Sequence, residues 1–532
     1  MPQRNTPPQR PLLAAVTLAF CFAAAPAYAD EPQRISVEQF SKDPQKVKAL
    51  TDAVLGMRAD DKADPMSPAF RTSFAYWANT HGYFGTGAHA TNLQQYIDYR
   101  MPQCLEEYEK KTCDAYFAHM HDTPVPGDGF TDQVWGTCQH GNLYFLPWHR
   151  IYLHYYERTL QKHAKDANLA LPYWNYFDNY VPKAKGIALP PLVRGKQAGT
   201  FYNQYRTPGL NENASHMDPD SADATEAFSY SDFTSFSNQL QAQPHGAMHC
   251  AAGSGCTMPD IGFVPIAGLD PVFYMHHANI DRLWQCWMTK KAGGATIDLA
   301  WAKANLGMPD EWYEKSFTFA DENGDKVVRK VADLFNGAIT VNYDNLTNCD
   351  TKPPTAPVLA GTLPVQLKTG AVMRTHKAVM LNNSNVDVPL QAAPALKAGP
   401  EALVLPNDTA AEPGENYLVL ENVELVGSPA LTYKVLLSSK KNPKRTSYVA
   451  TLSYFGLGPT GHAEHTGSAN SLGTLTYKVT ANLAKLGISS PDDVVVRFEP
   501  TNLMVGAKLK PQKAGNGVTV SDVRVQTGPA AP

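Results

Sequence analysis

Several things are scarce in this chain, and each scarcity removes a class of function. Neither sign of charge dominates: 46 Lys+Arg stand against 50 Asp+Glu, a formal net charge of −4, and no stretch gathers the basic residues into a stripe. Phosphate backbones and anionic membranes are held by basic surfaces, so neither nucleic acid nor a membrane face is the expected partner. Long apolar runs are missing outside one N-terminal stretch, "PLLAAVTLAFCFAAAP". That run is shorter than the roughly 20 residues a bilayer span needs. With Arg4 and Arg10 ahead of it and Ala27-Tyr28-Ala29 behind, it reads as an export signal occupying residues 1–29, which predicts a periplasmic or secreted mature chain. Internal repeats are also lacking. Cysteine is sparse, with eight in the chain and seven after cleavage. An exported protein can oxidise its cysteines in pairs, and seven leaves one over for another role. Cys250 with Cys256 and Cys104 with Cys113 are candidate pairs, though spacing does not fix connectivity.

What the chain has is size, aromatic density and histidine. Its 532 residues, 43% of them hydrophobic, are enough for a large core and more than one domain. Texture changes at the proline-rich passage "DTKPPTAPVLAG" after Cys349. Upstream, segments such as "HRIYLHYYERTLQKHA" carry helical apolar spacing. Downstream, "NYLVLENVELV", "LTYKVLLSS" and "DVVVRFEP" alternate as strands do. The expected organisation is a mainly α domain over 30–350, a linker with some strand content over 351–415, and a β-sandwich-like domain over 416–532.

The histidines fall near expected helix starts. In "DPVFYMHHANIDRLWQCW", Asp270 and Pro271 read as an N-cap and first-turn proline, placing His277 and Asp281 on one helix face. In "QPHGAMHC", Pro244 opens a second helix with His245 and His249 one turn apart, the spacing with which two imidazoles grip one metal ion. In "TCQHGNLYFLPWHRIYLHYYE", Pro147 predicts a third helix start beside His140 and His149. A lone histidine there would be a packed core residue. So many together point to metal, and imidazoles without thiolate suit copper, zinc or iron.

At this point the sequence resembles the type 3 copper proteins: tyrosinases, catechol oxidases and haemocyanins. "DPVFYMHHANIDRLW" is similar to that family's second-copper motif, Asp-Pro-x-Phe-aromatic-x-x-His-x-x-x-Asp, which implies His277 as the ligand and His276 as its neighbour. "HGNLYFLPWHRIYLHYYE" resembles the first-copper motif and implies His140 and His149. "SFAYWANTH" is similar to a plant pattern ending in the remaining first-copper ligand, favouring His81, while His119 and His121 in "AHMHD" stay as alternatives. The other histidines, His89, His154, His163, His216, His376, His462 and His465, are read as surface or packing residues.

The resemblance further implies a four-helix bundle holding two copper ions, small phenolic substrates with O2, and oxidation of o-diphenols to o-quinones. Cys138, two residues before His140, matches the position of a cysteine that in fungal and molluscan members forms a thioether to the histidine, which accounts for the odd cysteine. "PDEWYEKSFTFADENGDKVVRKVADLF" and the β-rich tail resemble plant polyphenol oxidases, whose tail covers the site; "SYFGLGPTGHAEH" is the candidate plug. Gln241 stands where the plant motif has Glu, and Gly246 where hydroxylating members often have Asn. Gln cannot act as a base, so hydroxylation of monophenols is expected to be slow. Phe263 and Val264 are expected to shape the pocket mouth. A haemocyanin-like oxygen carrier and, more distantly, a zinc hydrolase are the rival readings, and an oligomer is compatible with all of them.

Overall fold

A computed structural model of the chain describes residues 31–83, 92–107, 109–118, 125–257, 260–347, 349, 372–374, 377–392, 414–427, 429–457 and 471–527. The expected export signal and His89, His119, His121, His376, His462 and His465 lie outside the described residues.

Local sequence explains where the main helices begin. Helix α1 (Pro44–Asp60) starts on Asp43, whose carboxylate accepts the N–H groups of Gln45 and Lys46, with Pro44 in the first turn. Helix α2 (Phe74–His81) starts on Ser73, which accepts from the Tyr76 N–H. Helices α3 (Leu93–Glu107) and α4 (Lys110–Ala118) form a hairpin closed by the Cys104–Cys113 disulfide. Helix α5 (Phe145–Ala164) carries Pro147 in its first turn, where a missing N–H costs nothing. Helix α6 (Phe233–Leu240) passes through a wide turn at Gln241–Gly246 into α7 (Ala247–Ala252). Pro244 sits inside that turn, after an extended Gln243, and the helix it was expected to open begins three residues later.

Helix α8 (Val272–Ala292) follows Pro271, and Asp270 still accepts the Val272 N–H at 3.0 Å. The Asp270 carboxylate is also gripped by both arms of Arg206, at 2.8 and 2.6 Å. Helix α5 lies between α1 and α8, joined by rings such as Tyr156 flat against Tyr274, 3.7 Å between centroids. The expected mainly helical domain is therefore present, with its aromatic residues in its core.

A hairpin of β1 (Ser316–Ala320) and β2 (Lys326–Lys330) packs on the helical domain. The C-terminal region is two antiparallel sheets. Strands β3 (Val372–Arg374), β4 (Val379–Leu381), β5 (Val386–Pro389) and β6 (Gln391–Ala392) precede β7 (Asn416–Val426), β8 (Thr432–Ser439), β9 (Asn442–Thr451), β10 (Ser471–Lys478), β11 (Val494–Thr501) and β12 (Gly517–Thr527). One sheet runs β9-β8-β11-β5; the other runs β10-β7-β12-β3-β6, with β4 also paired to β12. Their facing apolar residues form a second core, separate from the helical one. Strands β3 to β6 lie within 351–415, so the passage expected as a linker is in part wall of the sandwich. Some strand content was expected there; the pairing was not, because those strands are only two to four residues long and tertiary contacts rather than propensity make them strands.

The sandwich rests on the helical domain. Tyr417, Val419, Leu503 and Met504 join the helical core. Lys434 reaches Asp218 at 2.5 Å and Asp220 at 2.6 Å. Gln243, in the wide turn, donates to the carbonyls of Asp220 and Asp223 and accepts from the Tyr448 hydroxyl and the Thr451 N–H.

Candidate metal centre

The helical domain gathers histidines into two buried groups. His81, at the C-terminal end of α2, meets His140 from the loop before α5 and His149 from its first turns, with ring centroids 5.2 to 5.7 Å apart. His245, His249 and His277 form the second group at 4.7 to 5.3 Å. The groups adjoin: His149 and His277 stack at 4.5 Å with planes 11° apart. Within each group, Cys138 included in the first and His276 in the second, the nitrogen or sulfur donors lie within 4.8 Å of one another.

Backbone carbonyls fix the rings. His81 Nδ1 contacts the Val264 carbonyl at 2.9 Å, His149 Nδ1 that of Phe145 at 2.7 Å, His245 Nδ1 that of Gln241 at 3.0 Å, and His249 Nδ1 that of Ile261 at 2.7 Å. A carbonyl only accepts, so each Nδ1 carries the proton and each Nε2 is left as a lone pair. His249 Nε2 faces His277 Nε2 at 3.1 Å, and His245 Nε2 is buried without a hydrogen-bond partner. Lone pairs converging in a dry interior are costly unless a cation collects them. Burial, with the neighbouring imidazoles adding to it, holds His149, His249 and His277 well below the usual imidazole range, and burial takes His245 down to about 3. They are neutral ligands at any ordinary pH. The donor set thus fits one nitrogen-preferring metal ion in each group.

His276 also reaches the second group. Its Nδ1 is hydrogen-bonded to the Tyr176 hydroxyl at 2.8 Å, whereas His277 stacks on His149 of the first group at 4.5 Å. Asp281 lies on the same helix as His277, as expected. It shares a helix face with His277, yet its carboxylate is taken by Arg150 at 2.6 Å, Arg34 at 3.4 Å and the Tyr343 hydroxyl at 2.6 Å. Those partners come from distant parts of the chain, so sequence spacing could not show them.

Cys138 is the free cysteine among the described residues, and its buried thiol is pushed up well above the ordinary value. Its Sγ lies 3.7 Å from His140 Nε2 and 3.3 Å from His149 Nε2. The other six described cysteines pair as 104–113, 250–256 and 286–349. Gln241 Oε1 accepts the Gly141 N–H at 3.1 Å, tying the loop that carries His140 to the turn that carries His245.

Phe263 and Val264 do different things from each other. The Val264 carbonyl holds His81, and the Phe263 ring packs with Tyr96 and Phe117 of the α3–α4 hairpin. Three further phenylalanines touch the imidazoles. Phe145 and Phe273 lie 4.6 Å from His149 and 4.2 Å from His277; both had the look of plain core residues in sequence. Phe455, from the candidate plug, lies flat on His249 at 3.8 Å and 6°. Ser453 meets Gly246: a Cβ there would stand 2.5 Å from the Ser453 hydroxyl.

Comparison with known proteins agrees with this geometry. Residues 71–207 and 189–290 match the common central domain of tyrosinase. Tyrosinase HcTyr1 of Hahella sp. (strain CCB-MM4) is 33% identical over 254 residues, covering 42% of this chain and 51% of that protein. The latent chloroplastic polyphenol oxidase of Prunus armeniaca is 26% identical over 426 residues, covering 70% of this chain and 64% of that protein. The chain thus spans between half and two thirds of these relatives. Among solved structures, latent apple tyrosinase superposes with a TM-score of 0.54 at 18% identity, covering 94% of this chain and 98% of that one. Latent aurone synthase gives 0.54 at 18%, covering 95% and 91%, so the helical domain and the sheet-rich region together have the latent polyphenol oxidase fold.

Proposed function

Because the chain belongs to the tyrosinase family of type 3 copper proteins, we propose that it is a copper-dependent oxidase that converts o-diphenols to o-quinones. Two diphenols supply the four electrons and four protons that turn one O2 into two waters. The observation that carries this reading is the pair of buried, neutral imidazole groups joined through His149 and His277, 4.5 Å apart. His81, His140 and His149 would hold one copper, and His245, His249 and His277 the other. When bound, such a pair supplies the redox chemistry with O2 that no side chain here provides.

The chain's own residues do the rest. The Nδ1–carbonyl contacts orient the ligand rings, and burial excludes water from them. Gln241, where a carboxylate would make a water basic, holds the Gly141 N–H instead and cannot take a phenol proton. Diphenol oxidation is therefore the main activity, with slow monophenol hydroxylation. Cys138 is proposed to be joined to His140 by a thioether, which a cross-linked proteolytic peptide would reveal by mass. Phe455 occupies the face of His249 where a substrate ring would lie, so the intact chain is latent. The N-terminal segment is proposed to export the protein.

The test is copper content together with O2 uptake on catechol and on tyrosine. Two coppers per chain with uptake on catechol outpacing uptake on tyrosine supports the oxidase. Reversible O2 binding without catechol turnover would make the protein a carrier, and two zinc ions per chain would overturn both.

A further inference from the structure

We infer that Gly246 is where the plug is keyed to the site: the side chain missing at 246 lets Ser453, and Phe455 with it, settle over the second histidine group. This rests on the oxidase reading and its latency, and names the residue pair that regulates that same site. Glycine at 246 is not explained by its backbone. Gly246 has φ −64° and ψ −36°, ordinary right-handed helical values at the entrance to α7, where alanine is the better residue. It is explained by what stands over it. A Cβ at 246 would lie 2.5 Å from Ser453 Oγ and 3.3 Å from Ser453 Cβ, both too close, while the next neighbour, the Gln241 carbonyl oxygen at 3.4 Å, makes an ordinary contact. A side chain at 246 thus fits the helical domain and collides with the plug.

Neither side of that contact is free to back away. The turn that carries Gly246 is held by Gln243, whose side chain donates to the Asp220 and Asp223 carbonyls at 2.7 and 2.9 Å. The same glutamine pins the strand leading into Ser453, because its Oε1 accepts the Thr451 N–H at 3.0 Å and the Tyr448 hydroxyl at 2.9 Å. Leu452 is fixed on the other side, its N–H bonded to the Tyr433 carbonyl at 2.9 Å and its carbonyl accepting from the Thr432 hydroxyl. The Ser453 hydroxyl is engaged as well. It accepts the Phe455 N–H at 3.4 Å and reaches Cys250 Sγ at 3.8 Å, a sulfur tethered by its bond to Cys256. Rotating that hydroxyl clear of 246 breaks the bond that sets the Phe455 backbone. The Phe455 ring is the group flat on His249 at 3.8 Å, and it stands 5.4 Å from His245. One methyl added at 246 is therefore relieved by unseating the plug.

The test compares intact chains with chains in which residues 453–457 are replaced by a Gly/Ser segment of equal length, so that each variant's catechol turnover is read against its own open form. In copper-loaded protein, Gly246→Ala is expected to lower the open-to-intact turnover ratio about tenfold, the effect of one overpacked contact. In a Ser453→Gly chain, which lacks both atoms the methyl would meet, Gly246→Ala is expected to change the ratio by less than about twofold. A second readout needs no metal: in the copper-free intact chain, hydrogen exchange of the peptide spanning Ser453–Leu457 speeds up about tenfold on Gly246→Ala, and does not when Ser453→Gly is already present. A turnover ratio or an exchange rate that Gly246→Ala leaves unchanged overturns the inference, and so does an equal effect with and without Ser453→Gly. If no form oxidises catechol the oxidase reading fails instead, and the exchange arm still decides the pairing of Gly246 with Ser453.

Discussion

The two histidine groups are built alike and covered differently. The first draws its rings from three places, the end of α2, a loop and the start of α5, and it is covered mainly by residues of the helical domain, with Cys138 against His140 and His149 and Trp148 beside His81; Phe455 meets it edge-on at His140 alone, 6.0 Å between centroids. The second draws two rings from one stretch and the third from α8, and its outer face meets Phe455 of the C-terminal region. The difference supports the proposal that a phenol meets the second group, on the face that Phe455 covers.

Several measurements break or sharpen that contrast. Replacing one ligand in either group, His149→Ala or His249→Ala, is expected to halve copper content and abolish catechol turnover. The loss should exceed the roughly 10- to 100-fold that orienting partners of a ligand are worth. Phe455→Ala acts mainly on the second group, where the ring stacks on His249. It is expected to raise turnover of the intact chain about tenfold or more, since a stacked ring contributes on the order of 1–3 kcal/mol, and copper content should not change. Cys138→Ala acts on the first group alone, weakening copper retention by about tenfold in a chelator competition and leaving latency intact. Gln241→Glu, between the groups, is expected to raise the monophenol to diphenol rate ratio by about tenfold.

The smallest effect lies at the seam between helical domain and sandwich. Glu226 accepts the Lys478 N–H at 2.6 Å, and burial pushes its carboxyl up from 4.5 to about 8. Its protonated form is the one the docked domain favours, so its contribution is complete below about pH 4.5 and fades as pH rises through 8. Melting temperature followed from pH 5 to 8 should fall, and Glu226→Gln should flatten that fall.

Much of the site was legible because its chemistry sits on local signals. His245 and His249 one turn apart, His277 in an Asp-Pro-led helix, and His140 with His149 around Pro147 are all short-range patterns, and the helical core followed from apolar spacing. Long-range pairing was not legible. Asp281 was placed on the face of His277, but Arg34, Arg150 and Tyr343 claim it, and nothing within several residues announces them. The Cys286–Cys349 bridge, the short strands paired across 351–415 and the turn of Phe263 toward Tyr96 are of the same kind. Phe145 and Phe273 escaped notice because an aromatic beside a ligand and an aromatic in a core look identical in sequence.

The most direct test of the central claim is a crystallographic map of anomalous scattering at the copper edge for the reconstituted chain. Two peaks are predicted, one among the Nε2 atoms of His81, His140 and His149 and one among those of His245, His249 and His277. A single peak, or copper bound anywhere else, would contradict it.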